Sequence, residues 1–80
     1  MPRWFFHISA DEELIRDQEG EEIGSAEEAE GEARQIARDA MSEQLRRGER
    51  LSLDWWVEVE KCGQPVLRVS FRSIALGDAD

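Results

Sequence analysis

Cysteine and histidine each occur once in this 80-residue chain, proline twice and tyrosine not at all. The lone thiol, Cys62, excludes an internal disulfide and fits a reducing compartment, so the cytoplasm is the expected location. One histidine and one cysteine fall short of any zinc signature. No run approaches the ~18 apolar residues that a membrane span requires. Residues 1–8 lack the basic stretch, long apolar run and small-residue cleavage site of a secretory signal. Basic charge is scarce as well: ten Lys and Arg face nineteen Asp and Glu, for a formal net charge of −9. Such a field repels phosphate backbones, which argues against ordinary nucleic-acid binding.

The excess charge sits in one third of the chain. Residues 11–32 hold eleven acids against Arg16 alone, whereas residues 33–80 carry eight of each sign. Asp11, Glu12, Glu13, Asp17, Glu19, Glu21 and Glu22 make a candidate acidic patch, suited to a basic partner or a divalent cation, or else simply solvated. No calcium loop is spelled out there. With Gly20 at the sixth position of an EF-hand loop, the first and twelfth fall on Ile15 and Ala26, which cannot ligate.

What is present reads as regular structure. Arg3–Ser9 is a strand, aromatic and β-branched, with Trp4, Phe6 and Ile8 on one face and Arg3, Phe5 and His7 on the other. Glu13–Asp17 is a short second strand, and residues 17–24 a surface loop. Ser25-Ala26-Glu27-Glu28 matches a capping box. Ala26, Ala29, Ala33, Ile36, Ala37, Ala40, Met41 and Leu45 then form a stripe at helical period, which Gly48 stops. Leu51–Glu60 alternates as a half-buried strand, Lys61–Gln64 turns, and Pro65–Ile74 returns as a strand.

The expected fold is therefore α+β: an antiparallel sheet in the order β-β-α-β-β, arranged 2-1-3-4, with one long helix packed on one face. The whole chain, 1–80, reads as a single domain with a frayed tail over 75–80. The expected core is Trp4, Phe6, Ile8, Leu53, Trp55, Val57, Val59, Leu67, Val69 and Phe71 beneath the alanine stripe.

No second helix is available for the opposite face of that sheet. It would carry Phe5, His7, Trp56, Glu58, Arg68 and Arg72, with charges nearly balanced. Aromatic and arginine side chains are the commonest interface anchors, so this face is the candidate docking surface for a protein partner or a second copy of the chain. A solvated sheet face with scattered aromatics is the plainer alternative.

Catalytic chemistry is not indicated. His7 is the sole general base among the imidazoles, and no serine or cysteine lies in a nucleophile signature. Cys62 falls in the turn beside Gly63 as an incidental thiol. No catalytic residue, metal site or cofactor is expected, and the chain reads as a non-enzymatic interaction domain.

The start Met1-Pro2-Arg3-Trp4-Phe5-Phe6-His7 resembles the MPRYFF-type opening of a family of short bacterial proteins classed as a domain of unknown function. The resemblance continues through Asp17-Gln18-Glu19-Gly20, Glu28-Ala29, Glu32-Ala33, and Val57-Glu58-Val59 to Val66-Leu67-Arg68-Val69-Ser70-Phe71. It departs at Trp4, where that pattern has tyrosine, and in a helix richer in alanine and arginine. The resemblance implies a shared fold unit and no particular activity. A fainter likeness to small antitoxin domains of HicB type rests on the acidic glycine turn before an alanine-rich helix, without their proline-rich segment.

Overall fold

The computed structural model describes residues 2–77. Its strands are β1 (Arg3–Ala10), β2 (Glu13–Ile15), β3 (Glu21–Glu22), β4 (Trp56–Lys61) and β5 (Gln64–Ser70). Two helices, α1 (Ala26–Arg46) and α2 (Phe71–Leu76), complete it. All pairings are antiparallel, in the order β2-β1-β4-β5, with β3 also pairing with β1. The α+β class and the long helix are as expected. The 2-1-3-4 order lacked β3, and residues 17–24 are not wholly a loop.

The helix is specified locally. Ser25 caps it, its hydroxyl accepting from Glu28 N–H at 3.1 Å. The Glu28 carboxylate reaches one residue further back than a simple capping box and accepts from Gly24 N–H. Glu30–Arg34 and Glu43–Arg47 pair one turn apart along the surface. Ala29, Ala33, Ala37 and Met41 turn inward. Alanines on that face let α1 lie close over the large rings of the sheet.

The core gathers Trp4, Phe6, Ile23, Val57, Val59, Val69 and Phe71 beneath that stripe. Full burial of such side chains stabilises by about 1.5–3 kcal/mol each, which matters in a domain with so little interior. Ile8, Trp55 and Leu67 are packed against this cluster only in part, and Leu53 is outside it. At the rim, the Trp4 ring lies under Lys61 Nζ at 5.0 Å, and its indole N–H is the one buried side-chain polar atom without a partner among the described residues.

Four expectations are corrected. Residues 51–55 are not strand, because Trp55 N–H turns back to the Ser52 carbonyl. Leu45 is 62% exposed, and the buried position beside it belongs to Gln44. The Gln44 carboxamide donates to Ser52 Oγ at 2.9 Å and accepts from Ser52 N–H, pinning the connection into β4. The last strand stops at Ser70, whose hydroxyl accepts from Ser73 N–H and starts α2. Phe71 keeps its core position, but from a helix, its N–H held by the Trp55 carbonyl and its ring 5.9 Å from Trp55. Residues 75–77 of the expected frayed tail are the end of α2 and its left-handed Gly77 cap, while 78–80 lie outside the described residues.

The β4–β5 hairpin turns on Cys62 and Gly63, both at positive φ (55° and 75°), with Lys61 opposite Gln64. That is the primed-turn geometry, which favours asparagine at the first position. Cysteine there carries a Cβ penalty of about 1–2 kcal/mol, much of which asparagine avoids. Cys62→Asn should therefore raise unfolding stability by up to about 1 kcal/mol, read as a higher urea midpoint at unchanged slope.

Candidate functional site

The sheet face away from α1 is built by register. Phe5 stands opposite Glu60, His7 opposite Glu58, Ser9 opposite Trp56, and Glu58 opposite Arg68. Period-two alternation brings these side chains to one side. They separate into two groups with different chemistry.

The first group is closed. His7 is only 5% exposed. Its Nδ1 accepts from Asp17 N–H at 3.0 Å, and its Nε2 lies 2.7 Å from Glu60 Oε1. A backbone amide can only donate, so Nδ1 must be bare and the ring proton sits on Nε2, directed at Glu60. Phe5 stacks beside the imidazole at 6.3 Å and 12°. With both nitrogens engaged and the ring buried, neither faces a site where a substrate could stand.

The cover over His7 is residues 16–20, tied down by Asp17. Between β2 and β3 the outer edge of β1 has no strand partner, and the Asp17 carboxylate takes the place of one: Oδ2 accepts from Phe6 N–H at 3.1 Å. Oδ1 accepts from Glu19 and Gly20 N–H at 3.2 and 3.1 Å. Gly20 is at φ +71°, and a Cβ there would stand 2.8 Å from Arg3 Cγ and Phe5 Cε2 and 2.9 Å from the Trp4 carbonyl. Only glycine fits. Arg3 completes the wrap by donating to the Glu19 carbonyl. Burial raises the Asp17 pKa, but the amides of Gly20, Phe6 and Glu19 outweigh it and, with His7 when charged, hold the carboxyl below its ordinary value.

The second group is open. The Arg68 guanidinium lies over the Trp56 ring at 4.3 Å, and the Trp56 indole N–H donates to Glu58 Oε1 at 3.1 Å. Arg68 Nε approaches the same carboxylate oxygen at 3.7 Å. Beside them, on the outer strand, Val66 is 51% exposed.

Of the residues expected on the docking face, Trp56, Glu58 and Arg68 are thus joined, and Phe5 and His7 form a separate pair. His7 is buried where an open sheet face was expected, because a loop without apolar residues lies against it. Arg72 is not on the sheet; it is exposed on α2. Glu60, which the alternation of the third expected strand already puts on this face, and Gly20 are central to the closed half. Their signals were the alternation of β4 and the D-x-E-G spacing.

The acidic patch is divided. Asp11, Glu12 and Glu13 stand at the β1–β2 turn, where Asp11 accepts from the Trp55 indole. Glu19, Glu21 and Glu22 lie at the other end of β1, where Glu22 faces Arg3 at 3.8 Å. Glu13 stands opposite Ala10 and Glu21 opposite Trp4, so about 20 Å of strand separates the two groups. Asp17 is a structural carboxylate and no part of a solvated run. Among the described residues, no group of three or more His, Cys, Asp or Glu side chains is placed to hold a metal ion, and no helix is long and apolar enough to cross a membrane.

The family described as Domain of unknown function (DUF6894) matches the chain over residues 3–72. No curated protein and no solved structure matches.

Two outcomes follow from the Asp17 tie. A carboxyl depressed in the folded state stabilises fully above the unfolded value, about 3.9, and that contribution is lost as pH falls below it. Asp17→Asn should cost about 1–3 kcal/mol at neutral pH, and the difference from the parent chain should shrink as urea titrations are taken below about pH 4. Gly20→Ala should cost about 1–3 kcal/mol through its left-handed backbone and the close contacts at Cβ; a urea midpoint equal to that of the parent would contradict this fit.

Proposed function

The chain belongs to the DUF6894 family of domains of unknown function, a membership that brings no activity with it, and we propose that it is a non-enzymatic protein-interaction domain. Its contact surface on this reading is the open half of the sheet face: Trp56, Glu58 and Arg68, bordered by Phe5. The observation that carries the reading is the Trp56–Arg68 stack. A guanidinium held over an indole and steered by a carboxylate is a preorganised anchor, and Trp and Arg dominate interface hot spots. The engagement of both His7 nitrogens supports the non-enzymatic part.

A second copy of the chain is the first partner to test, because the face carries both signs. Arg68 and Glu58 of one chain can meet Glu58 and Arg68 of another across a two-fold axis. Location in the cytoplasm and a bacterial source with an MPRYFF-type opening belong to the same reading. The acidic residues 11–32 would be the contact instead only if binding were charge-driven, and salt separates the two. Association through Trp56 should persist across the physiological ionic range, whereas association through the acidic segment should fade.

Light scattering of the reduced protein over a concentration series should show mass rising toward twice the 9.2 kDa chain. Trp56→Ala should weaken that association by at least about 2 kcal/mol, roughly thirtyfold in Kd. A mass fixed at one chain throughout would overturn self-association and leave a different protein as the partner of this face. Unchanged Kd in a folded Trp56→Ala variant would remove the anchor.

A further inference from the structure

We infer that His7 is a proton-operated latch: uptake of a proton on Nδ1 releases residues 16–20 from β1. Histidine is the side chain whose charge ordinarily changes between pH 5 and 8. Here the two ring nitrogens have opposite duties. Nε2–H donates to Glu60, and bare Nδ1 accepts from Asp17 N–H at 3.0 Å. An imidazolium has two donors and no acceptor. A proton on Nδ1 would therefore aim N–H at N–H, and the ring, only 5% exposed, cannot turn away to find another acceptor without the loop moving.

The surrounding charges pull the other way. From β4, Glu60 touches Nε2 and Glu58 stands opposite His7, with Arg68 of β5 partly offsetting Glu58 at 3.7 Å. From the loop comes the Asp17 carboxylate. On β1 itself Arg3 is occupied with the Glu19 carbonyl and Glu22. Glu60 and Glu58 face the ring in either position of the loop, whereas the Asp17 carboxylate attracts a charged ring only while the loop is closed and so acts against release. The Asp17 amide, which cannot accept, is the contact a second ring proton displaces. That amide belongs to a segment of five residues with no buried apolar side chain, whereas His7 and Glu60 are fixed in paired strands. The loop is the part that can yield.

Release has a defined extent. When Asp17 leaves, the Phe6, Glu19 and Gly20 amides lose the carboxylate they share. Gly20 lifts from the Phe5 ring, against which it now lies too closely for any Cβ. The β1 edge between β2 and β3 opens, and Phe5 is uncovered. The β1–β4–β5 sheet stays paired.

The test is amide hydrogen exchange by NMR on the full chain, expressed as protection relative to unstructured peptide so that the intrinsic pH dependence cancels. Between about pH 8 and about pH 5, protection at Phe6, Asp17, Glu19 and Gly20 should fall at least about tenfold, while Val57 and Val69 stay protected. The imidazole nitrogen spectrum should show the Nε2–H tautomer at the upper end, and the ring should become doubly protonated with the same midpoint as the amide change. In His7→Asn the carboxamide oxygen accepts from Asp17 N–H without titrating, so protection at the other three amides and Asp17 should survive at pH 5. Should that variant not fold, the coincidence of midpoints in the parent chain decides. The latch is overturned by a ring that protonates with the four amides still protected, by one that stays neutral to about pH 5, or by loss shared equally with Val57 and Val69. It is overturned equally if the same loss persists in His7→Asn.

Discussion

One carboxylate closes the sheet. β1 is paired with β4 from Trp4 to Ser9 on one side, but on the other it meets only a three-residue strand and a two-residue strand, separated by five residues. Strands that short do not hold themselves in place. The Asp17 side chain bridges them by accepting from the one β1 amide left in the gap, while gathering the amides of its own turn. A hydrogen bond to a charged acceptor is worth about 1.5–3 kcal/mol, a large part of what an 80-residue fold has in hand. Glycine at position 20 is the complementary condition, since the turn must press against Phe5 and the Trp4 carbonyl. The D-x-E-G spacing follows from these two needs.

The same segment explains how so acidic a stretch folds at all. Four of its carboxylates take defined donors: Asp17 backbone amides, Glu28 the amide before the helix cap, Glu30 the Arg34 guanidinium, and Asp11 the Trp55 indole from across the fold. Glu32 stands among like charges instead. Burial, then the nearby Glu21 and Asp39, raise its pKa, so its charge is tolerated at a cost. The two shifts act in opposite senses with pH. Asp17 stabilises above its unfolded value and stops doing so as acid is added, whereas Glu32 favours the fold more as it is protonated. The acidic third therefore keeps its excess charge, most of it on exposed side chains of the two turns and the first turns of α1, while a few of its carboxylates take structural donors.

Periodicity made most of the architecture legible, because β1, β4 and α1 obey a single repeat along their length. It misled where one repeat runs through a change of element. Leu67, Val69 and Phe71 continue to alternate, yet Ser70 turns the chain into α2 and Phe71 reaches the core from a helix. The bracket that marks α2, a serine cap and a glycine stop seven residues on, is a short-range signal that the alternation masked. Leu53 and Trp55 alternate too, but a turn at residues 52–55 breaks the strand there. Gln44 displaced Leu45 from the buried side because its carboxamide can serve both hydrogen-bonding groups of Ser52, an arrangement no hydrophobic pattern encodes. His7 was the deepest miss for the site. A polar loop normally reads as solvated, and this one is held down by backbone hydrogen bonds instead of apolar contacts.

That distinction divides the sheet face by mechanism as well as by position. The half over His7 is sealed by directional bonds whose failure needs only a change in protonation or the loss of one acceptor. The half around Trp56 has no cover, and its order comes from side chains alone: Arg68 over the ring and Glu58 taking the indole N–H. Pro65 and the register shift between Val59 and Glu60 mark β5 as an outer strand guarded against edge pairing. A partner on the proposed surface would therefore meet side chains on the face in preference to backbone at the edge. Phe5 lies where the two halves meet, stacked on His7 and pressed by Gly20. Whatever lifts the loop would enlarge the aromatic surface from one ring to two without disturbing the strands that present it.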